Sequence, residues 1–305
     1  MSSKITTKEA AERLIDSYDY FLFDCDGVIW TGSKLLPYVD ETIALLKKKG
    51  KKVYFVTNNS TKLRDDYLTK FQGMGIHGIE KLEVFGLSYA TAVHIDKILK
   101  LPKDKKVWVL GEKGIETELQ ERGYSTAGGA DPDLNKAGHQ PFDDSSPYLT
   151  ELDSEVGCVV AGLAFNLSYL KLSVTLQYLQ KGLPFIATNI DLTFPTHGKL
   201  LLGAGLIIES VAYAAGRQPD TVCGKPNQAM MDAIKAENPP LQLNPKRGLM
   251  VGDRLNTDMK FGRDGGLDTL LVLTGIESEQ LVADVADKPT YYADKLGDLY
   301  QLTQQ

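Results

Sequence analysis

Short hydrophobic runs that stop abruptly at polar residues recur along this chain. Phe21-Leu22-Phe23 ends in Asp24-Cys25-Asp26-Gly27-Val28, and Val53-Tyr54-Phe55-Val56 ends in Thr57-Asn58-Asn59-Ser60-Thr61. Gly248-Leu249-Met250-Val251 runs into Gly252-Asp253, and Thr269 to Leu273 forms a further apolar run. Apolar runs of this length bounded by turns predict buried strands. Between the first two, Val39 to Leu46 has helical periodicity and closes with Lys47-Lys48-Lys49-Gly50, cations and then glycine, which is a helix stop. A second helix is predicted after the Thr57–Thr61 cluster, carrying Leu63, Tyr67, Leu68 and Phe71. Strand, helix, strand in that order predicts a parallel sheet flanked by helices, an α/β fold.

The middle third repeats the theme. Val107 to Leu110, Cys158 to Ala161 and Pro184 to Ala187 read as strands. Ala127 to Ser154, rich in Gly, Pro, Asp and Ser, reads as a long surface loop. So long a loop is uncommon inside a compact core and points to an accessory module. No heptad pattern, low-complexity tract or solenoid repeat occurs.

Composition narrows the class. The 305 residues suit two modest domains or one large one, and 43% hydrophobic with 24% charged residues is an ordinary globular balance. A net charge of -6, from 34 basic and 40 acidic residues, supplies no basic face for nucleic acid. An anionic substrate would be captured by local groups. The three cysteines, Cys25, Cys158 and Cys223, have neither zinc nor disulfide-framework spacing, which fits a reducing compartment. Met1 to Asp16 lacks the apolar core of a signal peptide. Leu200 to Ala215, the longest mostly apolar stretch, is interrupted by Glu209 and Ser210 and falls short of the ~20 residues a bilayer requires. The expectation is a soluble, cytoplasmic protein without membrane or nucleic-acid partners.

Two carboxylates one residue apart at the end of a buried strand are costly unless a cation or proton compensates them. A hard divalent ion such as Mg²⁺, which takes oxygen ligands and shares them with phosphate, is the simplest compensation. Ligands in open parallel sheets bind beyond the carboxyl ends of the strands, so Asp24/Asp26, Thr57/Asn58/Asn59 and Asp253 are expected to converge. Gly224-Lys225-Pro226-Asn227, after the short apolar turn Val222-Cys223, could add a lysine. Each cluster has a plainer reading. Thr57 to Ser60 has the composition of a helix cap, which also exposes phosphate-binding amides. Gly252-Asp253-Arg254, with Asp258 five residues on, could be a helix start with aspartate at the cap. A cysteine phosphatase is excluded by spacing: Cys-x5-Arg is absent, since Thr31, Ala164 and Ala229 stand six residues after the three cysteines. Cys25 reads as a small apolar filler. His77, His94, His139 and His197 show no ligand spacing; His197, ending the loop from Asn189, is a candidate substrate contact.

Together these residues resemble the haloacid dehalogenase superfamily. Its four motifs occur in order as Asp24-x-Asp26-Gly27-Val28, Thr57-Asn58, Lys225 and Gly252-Asp253-x4-Asp258. The strings FLFDCDGVIW, FVTNNSTK, CGKPN and MVGDRLNTDMKFG resemble the branch of fungal 4-nitrophenylphosphatases, phosphoglycolate phosphatases and pyridoxal phosphatases. The resemblance implies a Rossmann-like parallel-sheet core, residues 1–89 and 219–305, with an inserted α/β cap of the C2 type, residues 90–218, that sets specificity and excludes water. It implies Asp24 as nucleophile and Asp26 as general acid and base. Mg²⁺ would be held by the Asp24 and Asp253 carboxylates and the Asp26 carbonyl, with Asp258 behind them. Thr57, Asn58, Asn59 and Lys225 would bind phosphate. Asn256, where many relatives carry aspartate, lies between the key positions. Aspartate rather than threonine at position 26 separates hydrolases from the phosphorylated ATPases of the superfamily. The expected substrate is a small phosphorylated metabolite such as 2-phosphoglycolate, with 4-nitrophenyl phosphate as an artificial one. Pyridoxal phosphate or a phosphoprotein is the alternative. A homodimer is expected because relatives dimerise through the cap. A nucleotide-sugar transferase would lack the lysine and Gly-Asp-x4-Asp; an aspartate-phosphorylated regulatory receiver would be far shorter.

Overall fold

The computed structural model describes residues 2–59, 62–137, 141–196, 199–238 and 243–305. The chain divides into two compact units, one of Met1–Thr57, Arg64–Phe85 and Asn238–Gln305, the other of Asn58–Leu63 and Gly86–Glu237.

The first unit is built on a seven-stranded sheet. Across it lie Ser3–Lys4, Tyr291–Ala293, Asp268–Val272, Gly248–Gly252, Tyr20–Phe23, Lys52–Thr57 and Val84–Gly86. Gly248–Gly252 and Lys52–Thr57 both pair in parallel with Tyr20–Phe23, whose four residues are all buried. A strand covered on both faces has no reason to alternate, which is why it reads as an unbroken apolar run. Phe23 packs on Phe21 at 6.1 Å and on Phe55 of the neighbouring strand at 5.9 Å, joining the strands across one face. From Tyr20–Phe23 the chain moves outward to Lys52–Thr57 and Val84–Gly86, then returns as Gly248–Gly252 on the opposite side. The order of strands thus reverses at Tyr20–Phe23, and the carboxyl ends beside that point are where a crevice opens. The helix Val39–Lys48 carries Asp40 and Glu41 in its first turn and Lys47 and Lys48 in its last, matching its dipole.

The second unit has its own parallel sheet of five strands, ordered Thr221–Val222, Phe185–Ala187, Val156–Ala161, Lys106–Leu110 and Ser125–Gly128. Trp108, Val159, Val174, Tyr178, Phe185 and Ile208 are among the residues of its separate core.

Several expectations change here. Ala127 to Ser154 is not a loop: it holds the end of the Ser125–Gly128 strand and the helices Pro132–Ala137 and Pro147–Thr150. Val222 belongs to a strand rather than a turn, and the segment from Asn189 includes the strand Thr193–Thr196, antiparallel to Lys199–Leu202. The expected domain boundaries lay after residues 89 and 218, whereas the compact units divide after Phe85 and Glu237. Residues 219–237 group with the second unit because helix Ala229–Glu237 packs on helix Leu87–Val93 and on the π-turn His94–Ile98. No helix among the described residues is long and apolar enough to cross a membrane.

Candidate active site

The sheet ladder continues one residue past Tyr20–Phe23, because the Asp24 amide donates to the Val251 carbonyl at 2.9 Å. That bond fixes the Asp24 backbone at the carboxyl end of a central strand. The chain then folds tightly: the Cys25 carbonyl accepts from the amides of Ile29 (2.9 Å) and Trp30 (3.2 Å), and Gly27 N–H donates to the Trp30 carbonyl at 2.7 Å. Cys25 is fully buried beneath this turn, as the apolar-filler reading requires.

Beside it, Gly248–Gly252 delivers Asp253, which is 6% exposed. Asp258 sits in the π-turn Leu255–Met259 and is 2% exposed. Its Oδ2 accepts from the amides of Asp253 and Arg254, both at 3.2 Å, so it reaches back to hold the strand end, and the residue at the cap position of the turn is Arg254 rather than Asp253. Ligand oxygens of Asp24, Asp253 and Asp258 lie within 4.8 Å of one another. Three carboxylates gathered this closely repel unless a proton or a cation is shared among them.

The walls of the cluster are glycines. A Cβ on Gly27 would stand 2.4 Å from Asp253 Oδ2, and one on Gly275 only 1.9 Å from it; on Gly252 it would meet Asp258 Cβ at 2.2 Å. Gly27 also has φ +85, which other residues adopt only under strain. An all-oxygen donor set in a recess that any side chain would fill fits a hard divalent cation. Among the described residues this is the one acid, histidine or cysteine cluster suited to an ion.

Asp26 differs from its neighbours. It is exposed, lies outside the cluster, and its Oδ1 accepts from the Trp30 indole N–H at 2.8 Å. Thr57 ends its strand buried at 3% exposure. The Tyr67 phenol marks how close these groups are. Burial pushes it well above its usual value, and Cys25, Asp26 and Asp24 add to the rise while Thr57 opposes it.

Asn58 and Lys225 meet in the second unit. The Asn58 side chain mimics a strand: its Nδ2 donates to the Lys225 carbonyl (2.9 Å) and its Oδ1 accepts from the Lys225 amide (2.8 Å). Asn189 Nδ2 donates to the Asn58 carbonyl at 2.8 Å. Asn58 therefore orders the main chain that carries Lys225, which is itself buried, rather than capping a helix. Asn59 is half-buried beside it in sequence. Ser60, Thr61, His139 and His197 lie outside the described residues, while His77 is exposed and His94 buried, in different units.

Two stretches of the sequence match family models: residues 21–125 match haloacid dehalogenase-like hydrolase and residues 222–299 a related hydrolase-like model. The 4-nitrophenylphosphatase of Schizosaccharomyces pombe is 42% identical over 98% of this chain and 99% of its own length. The chain belongs to the haloacid dehalogenase-like hydrolases. Among them, phosphoglycolate phosphatase 2 of Arabidopsis thaliana is 40% identical over 100% of this chain and 99% of its own. In three dimensions, the p-nitrophenyl phosphatase of Archaeoglobus fulgidus superposes with a TM-score of 0.77 at 29% identity, covering 93% of this chain and 98% of that one.

Sequence reasoning missed two partners of the acids. Trp30 closes the same apolar run that contains the first motif, but nothing in its spacing announced a bond to Asp26. Thr274 and Gly275 follow the strand Asp268–Val272; Thr274 Oγ1 donates to the Gly27 carbonyl, and Gly275 walls Asp253. The rule that ligands gather at carboxyl ends of parallel strands would have pointed to that Thr-Gly pair.

Proposed function

We propose that the chain hydrolyses monoesters of phosphoric acid on small metabolites, with Asp24 as nucleophile and Mg²⁺ as cofactor. The observation that carries this reading is the glycine-walled gathering of Asp24, Asp253 and Asp258 at the switch point, with the exposed carboxylate of Asp26 two residues from Asp24. The names of the relatives support it. Asp24 and Asp253, with the Asp26 carbonyl, would hold the cation, and Asp258 would brace Asp253. When bound, the cation supplies positive charge that lets an anionic carboxylate approach an anionic ester.

An Asp24 oxygen attacks phosphorus in line, and the ester P–O bond breaks to leave an aspartyl-phosphate. Asp26 gives its proton to the departing alkoxide. It then takes a proton from the water that attacks the phosphoryl group, freeing phosphate and regenerating Asp24. Thr57 hydroxyl, the Asn58 amide and the Lys225 ammonium hold the other phosphoryl oxygens. The substrate proposed is 2-phosphoglycolate or a similar alkyl phosphate, with 4-nitrophenyl phosphate as a surrogate. Three buried cysteines held as thiols rather than disulfides support a reducing, cytoplasmic setting.

The test is phosphate release from 2-phosphoglycolate, pyridoxal phosphate, sugar phosphates, a phosphotyrosine peptide and 4-nitrophenyl phosphate, with and without Mg²⁺. A preference of about a hundredfold in kcat/KM for phosphoglycolate, near 2.7 kcal/mol of transition-state binding, fixes the substrate. Asp24→Asn should abolish turnover in a folded protein; near-normal activity in that variant would end the reading.

A further inference from the structure

An exposed carboxylate is ordinarily free to rotate, but that of Asp26 is not. Its Oδ1 receives the Trp30 indole N–H at 2.8 Å, and Trp30 is fully buried. The indole is gripped from several directions. Tyr67 stacks nearly parallel to it at 6.4 Å and 17°, Phe71 meets it edge-on at 5.1 Å and 62°, and Lys70 Nζ lies 3.9 Å from its ring centroid. Its backbone is pinned through Trp30 N to Cys25 O and Gly27 N to Trp30 O. A phenyl ring would pack among these neighbours too. What tryptophan adds here is a single donor, and that donor points at Asp26.

We propose that Trp30 is the positioning residue for the acid–base step. It occupies Oδ1 of Asp26, so the transferable proton resides on Oδ2, the oxygen left to face the leaving group and then the attacking water. The Lys70 ammonium over the ring draws electron density from the indole and strengthens the donor. This rests on the reading of Asp26 as proton donor, and it extends that reading to a residue with no contact to the reacting phosphorus.

Leaving-group dependence separates positioning from packing. The kcat/KM of a phosphate ester spans only the steps through departure of the alcohol. 4-Nitrophenolate departs without a proton, whereas an alkoxide needs one. The ratio of kcat/KM for an alkyl phosphate to that for 4-nitrophenyl phosphate therefore reports proton donation, and it cancels any fraction of unfolded enzyme. Asp26→Asn should lower this ratio about a hundredfold, within the usual range for general acid catalysis. Trp30→Phe should lower it about tenfold, and Lys70→Met two- to threefold in the same direction. A Trp30→Phe ratio within twofold of wild type, alongside a collapsed Asp26→Asn ratio, overturns the role of Trp30 alone. If Asp26→Asn also keeps the ratio, the acid assignment itself fails and this inference falls with it.

A readout without turnover is the indole proton resonance. Trp30 and Trp108 give two such signals, and Trp30→Phe identifies which is which. The Trp30 signal should move upfield in Asp26→Ala while that of Trp108, bonded to Thr175 at 2.8 Å, stays in place. An unmoved Trp30 signal contradicts the bond.

Discussion

Gly275→Ala adds one methyl group and, at a position without positive φ, no backbone strain. Its Cβ would stand 1.9 Å from Asp253 Oδ2 and 2.6 Å from Asp253 Cγ, where ordinary contact begins at 3.4 Å. The carboxylate oxygen must therefore retreat by about 1.5 Å. Metal–ligand distances tolerate only about 0.2 Å, and Mg²⁺ holds its oxygens at roughly 2.0–2.1 Å, so a displaced Asp253 could no longer fill the ligand role proposed for it. Asp253 is buried and its strand end is tied to Asp258, which leaves it little room to swing back. Overpacking costs a further 1–3 kcal/mol or so of stability. The Mg²⁺ concentration for half-maximal activity should rise about a hundredfold, and kcat/KM at ordinary Mg²⁺ should fall by a similar factor. Titration calorimetry with Mg²⁺ gives affinity directly, and thermal unfolding in chelator isolates the packing term. Gly73→Ala, where a Cβ meets nothing within 4 Å, is the matched control and should leave both quantities alone. Wild-type Mg²⁺ affinity in Gly275→Ala, with normal folding, would refute Asp253 as a metal ligand.

Two further expectations concern the second unit. Asn58→Ala removes both bonds to the Lys225 main chain, about 2 kcal/mol in total; KM for the phosphate ester should rise roughly tenfold, and an unchanged KM would show that Lys225 needs no such support. Asp96 is bound by Arg122 at 3.0 Å and by Lys103 at 2.7 Å. Burial raises its carboxyl, but Lys103, Lys97 and Arg122 outweigh this and hold it below the usual 3.8. A depressed carboxyl contributes stability that is full above the unfolded value and vanishes as pH falls through the folded one. The stability gap between wild type and Asp96→Asn, read from urea melts, should be constant near neutrality and close below pH 3.8; a gap that persists in acid would assign it to packing.

The sheet was legible in the sequence for a physical reason. Strands covered on both faces carry unbroken apolar runs, so Tyr20–Phe23, Lys52–Thr57 and Gly248–Gly252 announce themselves, and the polar residues that close the runs, buried in the case of Thr57 and Asp253, mark the carboxyl ends where ligands gather. Edge strands of two residues, such as Ser3–Lys4 and Thr221–Val222, are too short to carry any period. The stretch from Ala127 to Ser154 misled because composition does not distinguish a loop from the ends of helices. Asp131 Oδ1 caps the amides of Asp133 and Leu134, and Pro132 and Pro147 open their helices in the first turn, where proline is favoured. In so short a helix, the ends are most of the sequence. What then fastens the segment is Lys171, buried with its ammonium on the carbonyls of Gly129 (2.9 Å) and Asn166 (3.1 Å) and on the Asn135 side chain, a long-range bond that no local pattern signals.

The same distinction runs through the active site. The acids were legible because a carboxylate at the end of a buried strand violates an expectation and demands an explanation. Gly275 and Trp30 violate none: a glycine after a strand is an ordinary turn, and a tryptophan in an apolar run is ordinary core. Their work appears only as distances, 1.9 Å from a Cβ that is not there to Asp253 and 2.8 Å from an indole nitrogen to Asp26. The chemistry of this site is therefore written in residue types, whereas its aim is written in what surrounds them. That is why the two substitutions that test it furthest, Gly275→Ala and Trp30→Phe, leave every acid of the four motifs in place.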